Sequence, residues 1–244
     1  MEKEKIKEIT IEDLVNAYNL LVSGIEDKAM NPSADDEARA YGGIVRAGKG
    51  LLVESLAKNI ALIAWRELGG DPTRISFIKE IIKIPIKKDY IEKIKNPDVK
   101  KFIKNNVDKY FYRFKTDVHV HIDDKLVAGI ECKAYTENAM MKRIMVDFTF
   151  LKQVFPDTKA ILIQLESQLG GDYSDTKKGT TYGSFPTHTI MSYFDVDLNI
   201  ITLLEGERKV DEPIHKQDYF KNLEKSSLDK AVNIVKEMLV DYLK

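Results

Sequence analysis

KTDVHVHIDDKLVAGIECKAY, residues 115–135, is the stretch of this 244-residue chain from which the predicted fold follows. Apolar and β-branched residues alternate on both sides of a turn at residues 123–125, and this pattern predicts a hairpin of two short strands. Asp117 lies near the start of the first strand. Glu131 and Lys133 lie two residues apart on the second strand, so their side chains point to the same face of the sheet. Pairing of the strands therefore brings two carboxylates and one ammonium to a single patch.

This patch has the residue types that hold a magnesium ion beside a phosphodiester. Carboxylate oxygens are the hard ligands that Mg²⁺ prefers in proteins, and we predict Mg²⁺ as the cofactor. Cys132 lies between the two charged residues of the second strand, points to the opposite face and is predicted to be an inert core residue. The alternative interpretation of Glu131 and Lys133 is an ordinary charge pair on the sheet surface.

The same residues carry a resemblance to a known family. Asp117 followed by Glu131-Cys132-Lys133 is similar to the motif of the PD-(D/E)XK nucleases, and its surroundings resemble a type II restriction endonuclease. Thr116 stands where the name of the family has proline. The resemblance covers roughly residues 44–205. It implies a Mg²⁺-dependent enzyme that hydrolyses phosphodiester bonds and makes site-specific double-strand breaks in DNA.

The resemblance also implies a role for individual residues. Asp117 and Glu131 would hold Mg²⁺, and Lys133 would position or activate the attacking water or neutralise charge that develops on phosphorus. In this family the helix that opens the core often supplies a further acid, and Glu54 is the candidate; the alternative places Glu54 on the wet edge of that helix. Asp147, fourteen residues after Lys133, is a candidate for an acid that some members carry on the next helix.

Hydrophobic periodicity outlines the remaining elements. Before the hairpin we predict a helix over residues 10–23 capped by Thr10 and ended by Gly24, a polar linker at 31–37, a buried helix over 48–68, a strand over 75–86 with Pro85 at a sheet edge, and a charged helical segment over 88–110. After the hairpin we predict a helix from Glu137 to Val154 capped by Thr136, an interior strand over 159–165, a loop over 168–187, a strand over 199–204 and a last helix capped by Ser226.

This element order predicts an α/β fold of the restriction-endonuclease type, with a mixed β-sheet flanked by α-helices. Residues 1–40 are acidic and are predicted to be a small N-terminal helical appendage, whereas residues 41–244 form the catalytic and DNA-binding domain. The aromatic run at residues 110–114 precedes the hairpin and is expected to lie in the core rather than to stack on bases.

The net charge gives little support for a nucleic-acid partner, but the distribution of charge along the chain favours one. The net charge is −1, but residues 79–116 hold twelve Lys and Arg against five Asp and Glu. A basic segment that leads into the predicted site suits an approaching phosphate backbone, and a solvated lysine-rich face is the alternative. The predicted partners are double-stranded DNA and a second copy of the chain, because a twofold-symmetric target requires paired cuts.

Residues for DNA recognition are predicted from their positions near the helix after Lys133 and in the loop beyond the next strand. Arginine and lysine suit guanine, and asparagine and glutamine suit adenine. Arg46, Lys49 and the glycines near them are a weaker suggestion for contact with a phosphate. The predicted DNA-binding residues are Asn138, Lys142, Arg143, Gln168, Asp172, Tyr173, Lys177 and Lys178.

Composition also limits the compartment. The chain has no apolar run that is long enough to cross a bilayer, and its mixed-charge start is unlike a signal peptide. Its one cysteine excludes an internal disulfide framework. These features predict a protein of the reducing cytoplasm without a membrane partner.

One misleading motif and two rival functions have to be weighed. Asp117-Val-His119-Val-His121 resembles the metal-binding motif of barrel hydrolases, but only His188 and His215 remain as further histidine ligands, and the rest of the chain is too short for a barrel of about 250 residues. A structure-specific or repair nuclease would share the metal site without reading a sequence. A DNA-binding module that has lost catalysis would bind without cutting.

Overall fold

The computed structural model describes residues 9–29, 35–212 and 217–243. Its helices are α1 Ile11–Ala29, α2 Asp35–Glu67, α3 Lys88–Lys93, α4 Pro97–Lys104, α5 Asn138–Val154, α6 Phe185–Met191 and α7 Lys225–Leu239, with short 3₁₀ segments at Val107–Lys109, Gln217–Tyr219 and Val240–Tyr242. Its strands are β1 Ile75–Phe77, β2 Ile82–Pro85, β3 Phe111–Phe114, β4 Val118–Ile122, β5 Lys125–Glu137, β6 Lys159–Gln168 and β7 Leu198–Thr202.

A five-stranded mixed sheet forms the centre of the fold, in the order β1-β4-β5-β6-β7. The pairs β1/β4 and β4/β5 are antiparallel, whereas β5/β6 and β6/β7 are parallel. Helix α5 makes the crossover between β5 and β6, as parallel neighbours require. The predicted α/β class with a mixed sheet flanked by helices is confirmed.

The predicted hairpin is formed by β4 and β5, which are joined by Asp123 and Asp124. Both turn residues have positive φ, at 49° and 63°. Two left-handed residues in succession make the type I′ turn that suits the twist of paired strands, and aspartate tolerates this conformation better than most residues. Asp123 is also held by the guanidinium of Arg74, at 2.5 Å. The turn sets Ile122 opposite Lys125, and a bulge between Val120 and His121 then shifts the register by one residue, so that Val118 pairs with Ile130.

The sheet is covered on both faces by apolar side chains. Helices α2 and α7 pack against one face, where Val53, Trp65 and Val232 are buried with Ile130 of the sheet. Helix α5 packs against the other face through Phe148 and its neighbours. Helix α1 adds Ile11, Leu14 and Tyr18 to the first of these two cores. The predicted boundary at residue 40 falls within α2, and the division into two domains stays a prediction.

Several predicted element bounds were wrong. Residues 75–86 form two strands instead of one, because β1 joins the main sheet and β2 pairs with β3 in a separate two-stranded sheet, which leaves Ile78 and Ile81 exposed between them. Helix α1 continues past Gly24. Strand β5 runs through Thr136, so α5 begins after Glu137 without the predicted side-chain cap. Glu224 precedes α7 in place of the predicted cap Ser226.

Other local predictions were right. The Thr10 hydroxyl accepts the backbone N–H of Asp13 at 3.2 Å, and the Asp13 carboxylate accepts that of Thr10 at 3.0 Å, which is a capping box. Pro85 lies at the end of β2, whose one partner among the described strands is β3. The first part of the linker predicted at residues 31–37 lies outside the described residues, as do the side chains of Arg46 and Lys49. The predicted start of the buried helix at residue 48 was wrong, because α2 begins at Asp35 and includes the last part of that linker.

Candidate active site

The hairpin register places Asp117 opposite Glu131 and Lys133. Because Val118 pairs with Ile130, the residue before Val118 lies across from the residue after Ile130. Lys133 donates to both carboxylates, with its Nζ 2.5 Å from Glu131 Oε1 and 3.4 Å from Asp117 Oδ2. The backbone N–H of Cys132 donates to the same Asp117 oxygen at 2.8 Å. Two acids and one base therefore converge, and the backbone of β5 fixes the orientation of one acid.

Electrostatics at this cluster favour the presence of a cation. Burial raises the pKa of the Glu131 carboxyl, and repulsion from Asp117 and Asp147 adds to this, although Lys133 acts in the opposite direction. Burial acts against the charge of Lys133, but attraction to Glu131 and Asp117 outweighs it and raises the pKa of the ammonium. Positive charge near the cluster therefore stabilises the ionised form of Glu131.

Asp147 and Gln164 complete the surroundings of the cluster. Asp147 lies on α5, where burial raises the pKa of its carboxyl against the opposing charges of Arg143 and Lys133. Gln164 lies beside Lys133 in the parallel register of β5 and β6. Its Nε2 donates to Thr202 Oγ1 at 2.9 Å, while its buried Oε1 has no hydrogen-bond partner among the described residues. The sequence analysis missed Gln164, although it is the one polar residue within the apolar run at 160–165.

Glu54 and Cys132 occupy the other side of the strand. Glu54 lies on α2 and forms an ion pair with Lys79 at 3.1 Å. The side chain of Glu54 is 21% exposed. It contributes to the electrostatic environment of the Cys132 thiol, whose pKa is raised first by burial. A buried thiol with a raised pKa has little thiolate, which agrees with the predicted inert role. The proposed part of Glu54 in the metal site stays a prediction.

Comparison with known proteins identifies the family. No protein-family model matches the chain. The chain is 50% identical over 228 residues to the type II restriction enzyme DdeI of Desulfomicrobium norvegicum, and the match covers 93% of this chain and 94% of DdeI. The chain belongs to the type II restriction enzymes. The prediction of a type II restriction endonuclease, which is a site-specific deoxyribonuclease, is therefore confirmed.

Among solved structures, this restriction enzyme matches a chain of the native BbvCI A2B2 tetramer. The TM-score is 0.36 at 12% sequence identity, over 96% of this chain and 86% of that chain. Within the described residues, no helix of the enzyme is long and apolar enough to cross a membrane.

The loop after β6 holds four of the predicted DNA-binding residues of the restriction enzyme. Asp172 accepts the backbone N–H groups of Tyr182 and Gly183, at 3.0 and 2.6 Å, and forms an ion pair with Lys178 at 2.8 Å. The hydrogen bond from Lys178 is the main reason why the pKa of Asp172 lies well below its usual range. Gly171 has φ +63°, and an added Cβ would lie 2.1 Å from the Gly183 carbonyl. Asp172 and Lys178 therefore fix the shape of the loop.

The other two loop residues differ in exposure. Tyr173 is buried in the core beneath the loop, and burial raises the pKa of its hydroxyl. Lys177 is exposed, with its Nζ 3.9 Å from a carboxylate oxygen of Glu224. In the restriction enzyme, Lys177 is therefore the more accessible of the two for DNA.

The remaining predicted DNA contacts lie at the ends of β6 and α5. Lys142 and Arg143 are exposed on α5, and Arg143 Nε is 4.0 Å from Asp147. Asn138 accepts a hydrogen bond from the Thr187 hydroxyl at 2.7 Å, and Gln168 accepts one from Arg208 at 2.7 Å. All eight stay predicted DNA-binding residues, and Lys142 and Arg143 are the most accessible at the site.

The two histidines of β4 are buried in this restriction enzyme. The Nε2 atom of His119 accepts the backbone N–H of Thr116 at 3.2 Å, so its lone pair is occupied. Burial lowers the pKa of His119, and the neighbouring His121 lowers it further. Among the described residues, no three His, Cys, Asp or Glu side chains form a ready metal-binding cluster. The geometry at His119 does not favour the barrel-hydrolase interpretation.

Proposed function

We propose that Asp117, Glu131 and Lys133 form the active site of a Mg²⁺-dependent restriction endonuclease that cuts both strands of double-stranded DNA. The convergence of these three side chains on one patch carries the proposal. The ammonium lies within 3.4 Å of one carboxylate and 2.5 Å of the other. A restriction enzyme requires a site that binds a phosphodiester and activates water, and this cluster has the groups for both tasks.

The donor set of the cluster fits Mg²⁺. This ion is commonly held by one or two carboxylates, with waters and substrate phosphates completing its octahedron. Asp117 and Glu131 supply the two carboxylates. Burial, and after it repulsion from Asp117, raises the pKa of Glu131, and positive charge opposes both effects. When bound, the ion supplies Lewis-acid polarisation of the scissile phosphate and lowers the pKa of a water molecule. Asp147 is the candidate for a third acidic group, and Glu54 remains a more distant one.

The protein residues orient and stabilise the reacting groups. The N–H of Cys132 holds Asp117 against β5, so this carboxylate keeps one orientation. Lys133 stays protonated because its raised pKa lies above the ordinary lysine value of 10.5. A charged ammonium at this position donates hydrogen bonds to the attacking water or to a phosphoryl oxygen and stabilises negative charge as it develops on the phosphorus centre.

The reaction indicates the partners of the enzyme, and its one cysteine indicates the compartment. Cleavage of both strands at a twofold-symmetric target requires two active sites, and we propose a homodimer for this reason. The exposed side chains of Lys142, Arg143 and Lys177 are suited to contact the bound duplex. Cys132 is a free thiol and agrees with a reducing cytoplasm.

Cleavage of a panel of phage and plasmid DNAs in Mg²⁺ tests the proposed function. We expect discrete bands from the wild type and none from Glu131→Ala, and sequencing of the fragment ends gives the recognition sequence. Glu237→Ala removes an exposed glutamate outside the cluster and is the matched control, with wild-type bands expected. Smeared products from the wild type would indicate a structure-specific nuclease. Undiminished bands from Glu131→Ala would place the active site elsewhere.

A further inference from the structure

A second surface of this enzyme has features that the metal site does not use. It is a groove of about 680 Å³ between the β2–β3 sheet, the segment around α3 and the outer side of α5. Three large aromatic side chains lie open to solvent along it. Tyr90 is 58% exposed, Tyr112 is 54% exposed and Phe150 is 36% exposed. The aromatic run at residues 110–114 was predicted to lie in the core, and this was wrong for Tyr112 because β3 pairs with β2 in a small sheet outside the main one.

The groove is positively charged. Lys87 and Lys109 line it and are exposed, and the described residues that line it include no Asp or Glu. Its lining residues other than Phe150 and Gln153 lie within residues 79–116, which carry twelve Lys and Arg against five Asp and Glu although the whole chain has a net charge of −1. Aromatic rings between lysines are complementary to a nucleotide, because a base stacks on the rings while its phosphate meets the ammonium groups.

Helix α5 and the chain after β3 connect the groove to the catalytic patch, which is formed by Asp117, Glu131 and Lys133. Phe150 lies three residues after Asp147 on α5, so both side chains project from the same side of the helix. Tyr112 contacts Phe150, with 5.7 Å between the ring centroids. At its other end, β3 leads directly into Asp117 through residues 115 and 116. A DNA strand whose phosphate lies at Lys133 therefore has the groove beside it.

We propose that this groove binds a nucleotide of the substrate DNA whose base has left the helical stack. The base stacks against Tyr90 and Tyr112, with Phe150 at the edge of the site, and its phosphate lies near Lys87 and Lys109. A base inside a duplex cannot reach rings within a groove, so the nucleotide must be extruded, at a cost that stacking and charge offset. This inference rests on the proposed action on DNA and adds a base-binding site to it.

A double-mutant cycle tests the base-binding site: one change is a substitution in the protein, and the other is removal of a base from the DNA. The ligands are fluorescein-labelled duplexes that contain the mapped cut site, either intact or with a single abasic nucleotide moved step by step through and beside that site. Binding is measured by anisotropy with Ca²⁺ in place of Mg²⁺, so that cleavage is not needed. Tyr112→Ala should weaken binding of the intact duplex roughly 5- to 150-fold, the range for loss of one base–aromatic stack.

The decisive result is the coupling between the two changes. At one abasic position the loss caused by Tyr112→Ala should shrink to less than about twofold, because no base remains to stack. Tyr90→Ala should show the same position dependence and serves if Tyr112→Ala fails to fold. Tyr193→Ala removes an 83% exposed tyrosine outside the groove and should bind all duplexes like the wild type. Equal losses on all duplexes, or no loss on any, would overturn the proposal.

Further measurements distinguish the base-binding site from other occupants of the groove. They also distinguish failure of this inference from failure of the proposed function. If Lys87→Ala weakens binding while both tyrosine variants do not, the groove holds phosphates alone and the base site is wrong. If Tyr112→Ala changes sedimentation of the free enzyme but not its affinity for DNA, a second copy of the chain occupies the groove and the proposal fails. Lys133→Met should bind DNA like the wild type but cut it far more slowly. An error in the assignment of the active site would change the result for this variant and would leave the results for the groove variants as they are.

Discussion

The catalytic patch and the aromatic groove border the same helix, α5, but they are built in opposite ways. At the patch, Asp117 and Glu131 are mostly buried, with side chains 28% and 16% exposed, and a single lysine lies between them. At the groove, Tyr90 and Tyr112 are more than half exposed, and the described lining residues carry only positive charge. These features support the proposals that the patch binds a cation and that the groove binds a nucleotide.

The difference shows what each task requires of the fold. Holding like charges together needs a rigid frame, and the paired strands β4 and β5 supply it through their fixed register. Attracting a flexible polyanion needs accessible lysines and rings, which a small two-stranded sheet supplies without deep burial. Substitutions at the patch should therefore change the rate of chemistry, and those at the groove should change affinity for DNA.

The largest expected effect comes from a carboxylate of the patch. Asp117→Asn should lower the cleavage rate more than about 100-fold, because loss of a group that only supports a metal ligand already costs 10- to 100-fold. Its amide oxygen can still accept the Cys132 N–H, so the unfolding free energy should change little, whereas Asp117→Ala should lose about 1–3 kcal/mol of it. Cleavage assays and thermal unfolding measure the two effects.

Asp211→Asn, a change of the same kind at an exposed aspartate away from both surfaces, is the control and should leave both measurements unchanged. If Asp117→Asn cleaved DNA within a few-fold of the wild type, the patch would not be the metal site. If Asp117→Ala were as stable as Asp117→Asn, the hydrogen bond from Cys132 would not orient the acid as described.

A smaller effect is expected from the charge of the groove. Lys87→Glu should weaken DNA binding and reduce the slope of log K against log salt by about 1, the value for one lost phosphate contact. Anisotropy titrations over a range of salt concentrations measure this slope. Lys209→Glu, at an exposed lysine away from the groove, is the matched control. A cleavage rate at saturating DNA that fell as far as that of the patch variants would remove the contrast between the two surfaces.

The smallest expected effect concerns pH. Because the pKa of Glu131 is raised above the ordinary value of 4.5, its carboxylate should become protonated, and cation binding should be lost, as the pH falls through a window above that value. In the metal-free enzyme the same shift lowers stability as the pH rises through that window. Asp147→Asn removes one repulsive charge and should move the titration of Glu131 downward by less than about one pH unit.

Nuclear magnetic resonance of the ¹³C-labelled Glu131 carboxyl measures this titration directly and does not depend on activity. Thr149→Ser, a mild change near Asp147 on α5, should leave the midpoint unmoved. A midpoint that stayed constant in Asp147→Asn would show that Asp147 lies too far from the patch to assist it.

The patch was predictable from the sequence because its geometry is local. Period-two alternation and a two-residue turn predict a hairpin that brings Asp117 near Glu131 and Lys133. The residue directly opposite Asp117 was not predictable, because a bulge between Val120 and His121 shifts the register by one residue. The parallel strand β6 was predictable from its continuous apolar run, since it is buried on both faces. In these regions, local pattern and tertiary structure agree.

The groove and the neighbours of the patch were not predictable in this way. Tyr112 is exposed because β3 pairs with β2 outside the main sheet, and hydrophobicity alone does not indicate which sheet a strand joins. Gln164 reaches Lys133 only through the register of two strands separated by α5. Gln168 and Arg208 meet across 40 residues of sequence, a distance at which periodicity gives no information.

Single-turnover cleavage by Lys133→Met, with enzyme in excess over a duplex that carries the mapped site, tests the central claim most directly. Lys209→Met is the matched control, and binding of the same duplex in Ca²⁺ is measured in parallel. We expect the rate of cleavage by Lys133→Met to fall about 10²- to 10³-fold while its DNA affinity stays within a few-fold of the wild type. An unchanged rate, with or without a loss of affinity, would contradict the assignment of Lys133 and with it the proposed active site.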